Sequence, residues 1–301
     1  MRYFDKKPGA KALYLDNSIL KMLTFVIGPM SQEQSSIKEK RILSGNIPMP
    51  PSKPVQSVIF ILRPEPEAVS QVLYQWNQMN GPTTDREFYV LFVPRRTIEC
   101  DEMLIESGMF SEVNKSNIAE INMDLVPLDE DLLSLEEPNN FKHHLLEDDD
   151  TYKVYAQYSI HRLESIYGKI PHKFGIGPSA SKLIKMVDEN RLNVDQTSNN
   201  STYGSESEID ALIMFDRKVD LVTPFCMMQT FEGFMDEHIG IHMTKVKISN
   251  SVIYPDAKVR EELKINEKDD TDLDLTSETP LYADIRDKHF DLAGRYLGTK
   301  L

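Results

Sequence analysis

Two unbroken apolar runs constrain this chain more than any other feature. "VQSVIFILRP" (55–64) and "EFYVLFVP" (87–94) are apolar or β-branched with little alternation. A strand with one wet face alternates, whereas a continuous run indicates burial on both faces, as in a parallel sheet covered by helices. Between them lies "PEAVSQVLYQWNQM", with Val69, Val72, Leu73 and Trp76 at helical spacing. Pro66 suits its first turn, and "NGP" (80–82) stops it. Strand, helix and strand in that order predict a right-handed crossover within a parallel sheet.

The alternation extends on both sides. "KALYLD" (11–16) reads as a strand ending on Asp16, "SILKMLTFVIG" (18–28) as a short helix and "KRILSG" (40–45) as a further strand. Thr97 and Gly108 bracket a helix in "TIECDEMLIESG", as N-cap and as the residue past its end. "INMDLVPLD" (121–129) reads as a weaker strand. Residues 1–130 are therefore expected to form a flavodoxin-like α/β domain.

Beyond it, the acidic run "EDDD" (147–150) precedes "TYKVYAQYSIHRLESIYG", where Val154, Tyr155, Tyr158, Arg162 and Ile166 fall near one helical stripe. Carboxylates at a helix N-terminus are favoured by the dipole, by roughly 0.3–1 kcal/mol each. That is a sufficient structural reason for the charge run. "GPSASKLIKMVDENRL" reads as a second helix, and the Ser/Asn-rich stretch 193–208 as a mobile loop. "IDALIMFD" then begins a second α/β unit.

Composition narrows the function. Lys+Arg 34 against Asp+Glu 48 gives a net charge of -14. Such a chain repels phosphate backbones, so nucleic acid is not an expected partner. Two cysteines, Cys100 and Cys226, in unlike settings indicate no disulfide framework. Met22–Gly28 is too short to span a bilayer, and no direct membrane insertion is expected.

Gly175, Gly177 and Ala180 in "FGIGPSASK" fit G-x-G-x-x-A. That fingerprint requires a preceding strand, and "IPHKF" reads poorly as one, so no cofactor is expected. His238 and His242 are spaced for one helix face, but Gly240 intervenes and no third ligand is evident, so no metal is expected. Neither a phosphate-binding G-x-x-x-x-G-K-[ST] nor a G-x-S-x-G elbow is present. Arg63, Arg95 and Arg96 follow strand C-termini, the edge where open α/β sheets bind ligands. They form a candidate partner-contact rim, with surface ion pairs as the plainer alternative.

The segment "ALIMFDRKVDLVTPFCMMQTFEGFMDE" (211–237) poses the central question. Asp216 ends an apolar strand and Asp220 follows four residues later. A magnesium-dependent phosphoryl-transfer enzyme would use such carboxylates. As a structural joint, the same acids accept hydrogen bonds from loop N–H groups and from Arg217, while Thr223 and Thr230 cap the following segments and Pro224 opens a turn. The joint gives each polar residue a task without a substrate.

This segment resembles the signature of the Sec/Munc (SM) family of SNARE regulators: an apolar strand, D-R-x-x-D-x-x-T-P, then T-[YF]-E-G-x-x-D-E. It supplies Asp216, Arg217, Asp220, Thr223, Pro224, Glu232, Gly233, Asp236 and Glu237. "VIFILRP", "FYVLFVPRRTIEC", "DLVPLDEDLLSLE", "IYGKIPHKFGIG" and "LYADIRDKHF" are similar to further family segments, in family order from about 11 to 290. The likeness is greatest to the vacuolar and lysosomal branch, which serves in the HOPS tethering complex. It implies a non-enzymatic, cytoplasmic protein recruited to the surface of late endosome, lysosome or vacuole, with SNAREs and tethering subunits as partners, the alternative being a pure scaffold subunit that only bridges tethering proteins. It implies a first α/β domain at 1–130, part of a second α/β domain at 131–250 and the start of a mainly helical third at 251–301. Family members are about twice as long, so the chain is expected to be a truncated form. The regions that would carry most of the SNARE groove and the tethering contact are then expected to lie outside it.

Overall fold

The computed structural model describes residues 9–27, 36–45, 47–80, 84–111, 117–123, 125–137, 139–147, 149–197, 207–267 and 269–300. The chain divides into two compact units, Met1–Val126 and Pro127–Leu301.

The first unit runs β1 (Lys11–Leu15), α1 (Asn17–Ile27), β2 (Ile37–Ile42), β3 (Ser57–Leu62), α2 (Pro66–Gln78), β4 (Glu87–Phe92), α3 (Ile98–Glu106) and β5 (Ile118–Glu120). Its five-stranded sheet has the order β2-β1-β3-β4-β5, with all neighbours parallel. This is the flavodoxin-like order, as the alternation of runs predicted. Every residue of β1 and β3 is buried. Val69, Val72 and Trp76 of α2 pack with Tyr14, Phe60 and Phe92 in the core. Each such side chain removed from water contributes about 1.5–3 kcal/mol.

Local signals fix the ends of these elements. Thr97 caps α3, its hydroxyl accepting the Cys100 N–H at 3.3 Å. Gly108 follows that helix with φ 77, a conformation suited to glycine. The predicted strand over 121–129 is shorter than expected. β5 ends at Glu120, before that segment, and among its described residues only Val126–Asp129 (β6) is a strand, paired with Leu132–Ser134 (β7) in a separate ribbon.

The second unit continues from that ribbon with α4 (Asn140–Leu146), α5 (Thr151–Tyr167), β8 (His172–Ile176), α6 (Pro178–Thr197), β9 (Ala211–Phe215), α7 (Phe231–His238), β10 (Ile241–His242) and β11 (Lys245–Ser249). Then follow α8 (Asn250–Ile253), α9 (Ala257–Leu263), β12 (Asp270–Asp274), α10 (Pro280–Ile285) and α11 (Phe290–Lys300). β8 and β9 pair in parallel around the α6 crossover. β10, β11 and β12 form an antiparallel sheet whose pairing joins the two sides of position 250. Residues 193–197 of the expected mobile loop continue α6, and 198–206 lie outside the described residues.

The α5 stripe is a correction. Tyr155 is buried, but Val154, Tyr158 and Ile166 are exposed. The buried face carries Lys153, Gln157, Ile160 and Glu164 instead, at i, i+4, i+7 and i+11. Each polar side chain there has at least one partner, in keeping with what interior polar groups require. Lys153 pairs with Asp150, Gln157 Nε2 donates to the Met186 carbonyl at 2.9 Å, and Glu164 lies 3.3 Å from Lys173. Asp150 also accepts from Lys182 across to α6. Hydrogen bonds to these two lysines hold its carboxyl near 2, so the acidic run ties helices together as well as preceding one.

Candidate functional site

The joint is built at the C-terminal end of β9. Asp216 follows the strand and is only 6% exposed. Its Oδ1 accepts the Lys218 N–H at 3.0 Å, capping the short 3-10 turn Arg217–Val219. Its Oδ2 accepts the Ser179 N–H at 2.9 Å, in the first turn of α6. Burial alone would raise this carboxyl. The Lys218 and Ser179 N–H groups, the Ser179 hydroxyl and nearby His144 outweigh burial and hold it below the usual carboxylate range. One side chain thereby satisfies one N–H group at the start of each of two helical segments.

Gly177 makes this approach possible. Its φ is +103, and a β-carbon there would stand 2.4 Å from Asp216 Cβ. Here the expectation about "FGIGPSASK" needs correcting. A strand does precede it, since His172–Ile176 pairs with β9, and strand, glycine turn and helix follow in order. The short apolar content of "IPHKF" hid a strand whose pairing partner lies far along the chain. Yet the N-terminus of α6, where a pyrophosphate would dock in a dinucleotide fold, already holds the Asp216 carboxylate.

Asp220 is occupied in the same way. Its Oδ1 accepts the Val222 and Thr223 N–H groups, each at 3.0 Å, and its Oδ2 accepts the Thr223 hydroxyl. The Thr223 hydroxyl and N–H, then the Val222 N–H, keep its carboxyl low. Arg217 donates to the Asp220 carbonyl at 2.6 Å. Pro224 lies within the 3-10 turn Thr223–Phe225, and here the expected Thr223 cap is corrected: Val222 is the N-cap residue and the Thr223 hydroxyl is taken up by Asp220. Asp216 and Asp220 therefore sit in separate arrangements, Asp216 serving the Arg217–Val219 turn and the start of α6, and Asp220 the turn at Val222 and Thr223.

The second half of the signature forms another knot. Thr230 caps α7 through the Gly233 N–H at 3.2 Å. A β-carbon on Gly233 would come within 2.9 Å of both Met228 Cβ and Thr230 Oγ1. Glu237 accepts the Met228 N–H at 3.1 Å and Asp236 the Ile241 N–H at 2.8 Å, closing the chain at both ends of α7. Glu232 lies 3.4 Å from Arg286 Nε. Arg286 in turn contacts Asp129 at 2.8 Å, and the Ser277 hydroxyl donates to Asp129 at 2.7 Å. That hydroxyl is the foremost influence lowering the Asp129 carboxyl. Phe234 stacks on Phe290 at 4.9 Å, and the Phe231 N–H donates to the Lys288 carbonyl at 2.8 Å.

Asp129, Ser179 and Arg286 are not distinguished by the sequence, although Asp129 and Arg286 lie inside the quoted similar segments, and Gly177 stands out there only as part of a cofactor fingerprint, not as the partner of Asp216. The pairing of those segments in space is the signal that spacing alone does not carry.

Other candidates resolve differently. His238 ends α7 and stacks on Phe234 at 4.0 Å, whereas His242 lies in β10. The two imidazoles are on different elements, and among the described residues no group of three or more His, Cys, Asp and Glu is placed to hold a metal. Cys100 is buried, and burial pushes its thiol up, away from a reactive thiolate. Arg63 is 5% exposed, so it belongs to the interior and not to an open rim. Arg95 lies 3.6 Å from Glu120, and Arg96 lies 3.4 Å from Asp101. No described helix is long and apolar enough to cross a membrane.

Comparison with known proteins matches residues 11–301 to the Sec1 family. Vacuolar protein sorting-associated protein 33A of Rattus norvegicus is 32% identical over 301 residues, covering 99% of this chain and 49% of the rat protein. The vacuolar protein-sorting-associated protein 33 homolog of Arabidopsis thaliana is 27% identical, covering 97% and 46%. The SM protein Vps45 in complex with the Qa SNARE Tlg2 has a similar fold, with TM-score 0.55 and 18% identity over 97% of this chain and 49% of that chain. The Unc18–syntaxin 1 complex of Monosiga brevicollis gives TM-score 0.54 and 14% identity, covering 99% and 51%. The chain spans about half the length of the curated relatives it matches.

Proposed function

Because the chain belongs to the Sec1 family, we propose that it is a non-enzymatic regulator of SNARE assembly, acting in fusion at the vacuole or lysosome. The observation that carries this reading is the match across residues 11–301, with vacuolar sorting proteins among the relatives. The solved SM complexes with a Qa SNARE and with syntaxin 1 support SNAREs as the partner class. The chemistry of the joint agrees with this role. Both signature aspartates are spent on internal N–H and hydroxyl groups.

In the mechanism we favour, the protein holds SNARE segments in register, so that part of their ordering cost is met by contact with a folded surface. Its acidic balance suits recruitment by protein partners, including HOPS-type tethering subunits, over attraction to anionic lipid. On this reading residues 1–130 serve as the first SM domain, 131–250 as part of the second and 251–301 as the start of the third. The protein is cytoplasmic and peripherally recruited. Of the rim cations, Arg96 has a side chain 39% exposed that a partner could reach, whereas the Arg95 side chain is 18% exposed.

Fluorescence anisotropy tests the proposal, with a labelled vacuolar Qa-SNARE motif titrated by a version of the protein that spans the full length of its relatives. Saturable binding is expected, competed by unlabelled SNARE and not by a scrambled helix. No complex at high micromolar concentration would contradict it.

A further inference from the structure

We draw no further inference here: the strongest candidate, the exposed apolar face of the parallel β8–β9 pair formed by Phe174, Ile176, Ile213 and Phe215, is an unpartnered surface and nothing in the structure shows what covers it.

Discussion

Asp216 accepts the backbone N–H of Ser179, 37 positions earlier in the chain, at 2.9 Å. This bond ties the end of β9 to the start of α6. It places a carboxylate where a helix has unsatisfied N–H groups and partial positive charge. A group held there serves the fold and has little freedom to act on a substrate.

Asp216→Asn keeps the shape but loses the charge and one acceptor. A cost of about 1–2 kcal/mol is expected, or a fall of about 2–8 °C in the midpoint of thermal unfolding. The folded carboxyl is held low, so its contribution is complete above the unfolded value near 4. It fades as pH falls through the lower folded value. Urea unfolding should therefore separate wild type from variant at pH 7 and bring them together in acid. A gap that widened in acid would contradict this.

Gly177→Ala combines a left-handed backbone with a clash against Asp216 Cβ. About 2–4 kcal/mol of destabilisation is expected. Gly240→Ala is the control. Its φ is also positive, +89, but the nearest atom to an added β-carbon is 4.0 Å away, so about 1 kcal/mol is expected. Equal losses in the two variants would mean that close approach to Asp216 is unimportant.

Arg286 and Asp129 provide a second test. Their side chains are 17% and 9% exposed. Arg286→Met leaves the Asp129 carboxylate without this cation, an expected loss of about 3–5 kcal/mol. A double-mutant cycle with Asp129→Asn should return a coupling of about 1–3 kcal/mol. Strict additivity would sever the proposed link between the signature segment and the β6–β7 ribbon.

Much of the first unit was legible because interior parallel strands announce themselves. Unbroken apolar runs such as Val58–Leu62 are buried whatever their neighbours, and Thr97 and Gly108 set helix ends through local geometry. The second unit was less legible because its interior contains polar groups satisfied across the sequence. Lys153, Gln157 and Glu164 look solvated by periodicity, yet each is buried against a partner. The β8 strand is equally hidden, since "HKFGI" acquires its identity only by pairing with residues 211–215. The structural role of Asp216 was readable from residue types. Its bond to Ser179 was not, because no local pattern records a contact between a strand end and an earlier helix.

The buried Glu164 supplies a fourth prediction. It is 0% exposed and lies 3.3 Å from Lys173. Lys173→Met should cost about 3–5 kcal/mol by removing a cation from a buried carboxylate. Adding Glu164→Gln should recover part of that loss, because the unmatched charge disappears. Chemical denaturation of the single and double variants checks this, and a double variant weaker than Lys173→Met would contradict it.

The most direct measurement of the structural role of the signature acids is isothermal titration with Mg–ATP, run on wild type and Asp216→Asn alongside thermal unfolding. The expected result is no saturable heat with either protein and a lower unfolding midpoint for the variant. Saturable Mg–ATP binding by the wild type, abolished in Asp216→Asn while the unfolding midpoint stays unchanged, would contradict it.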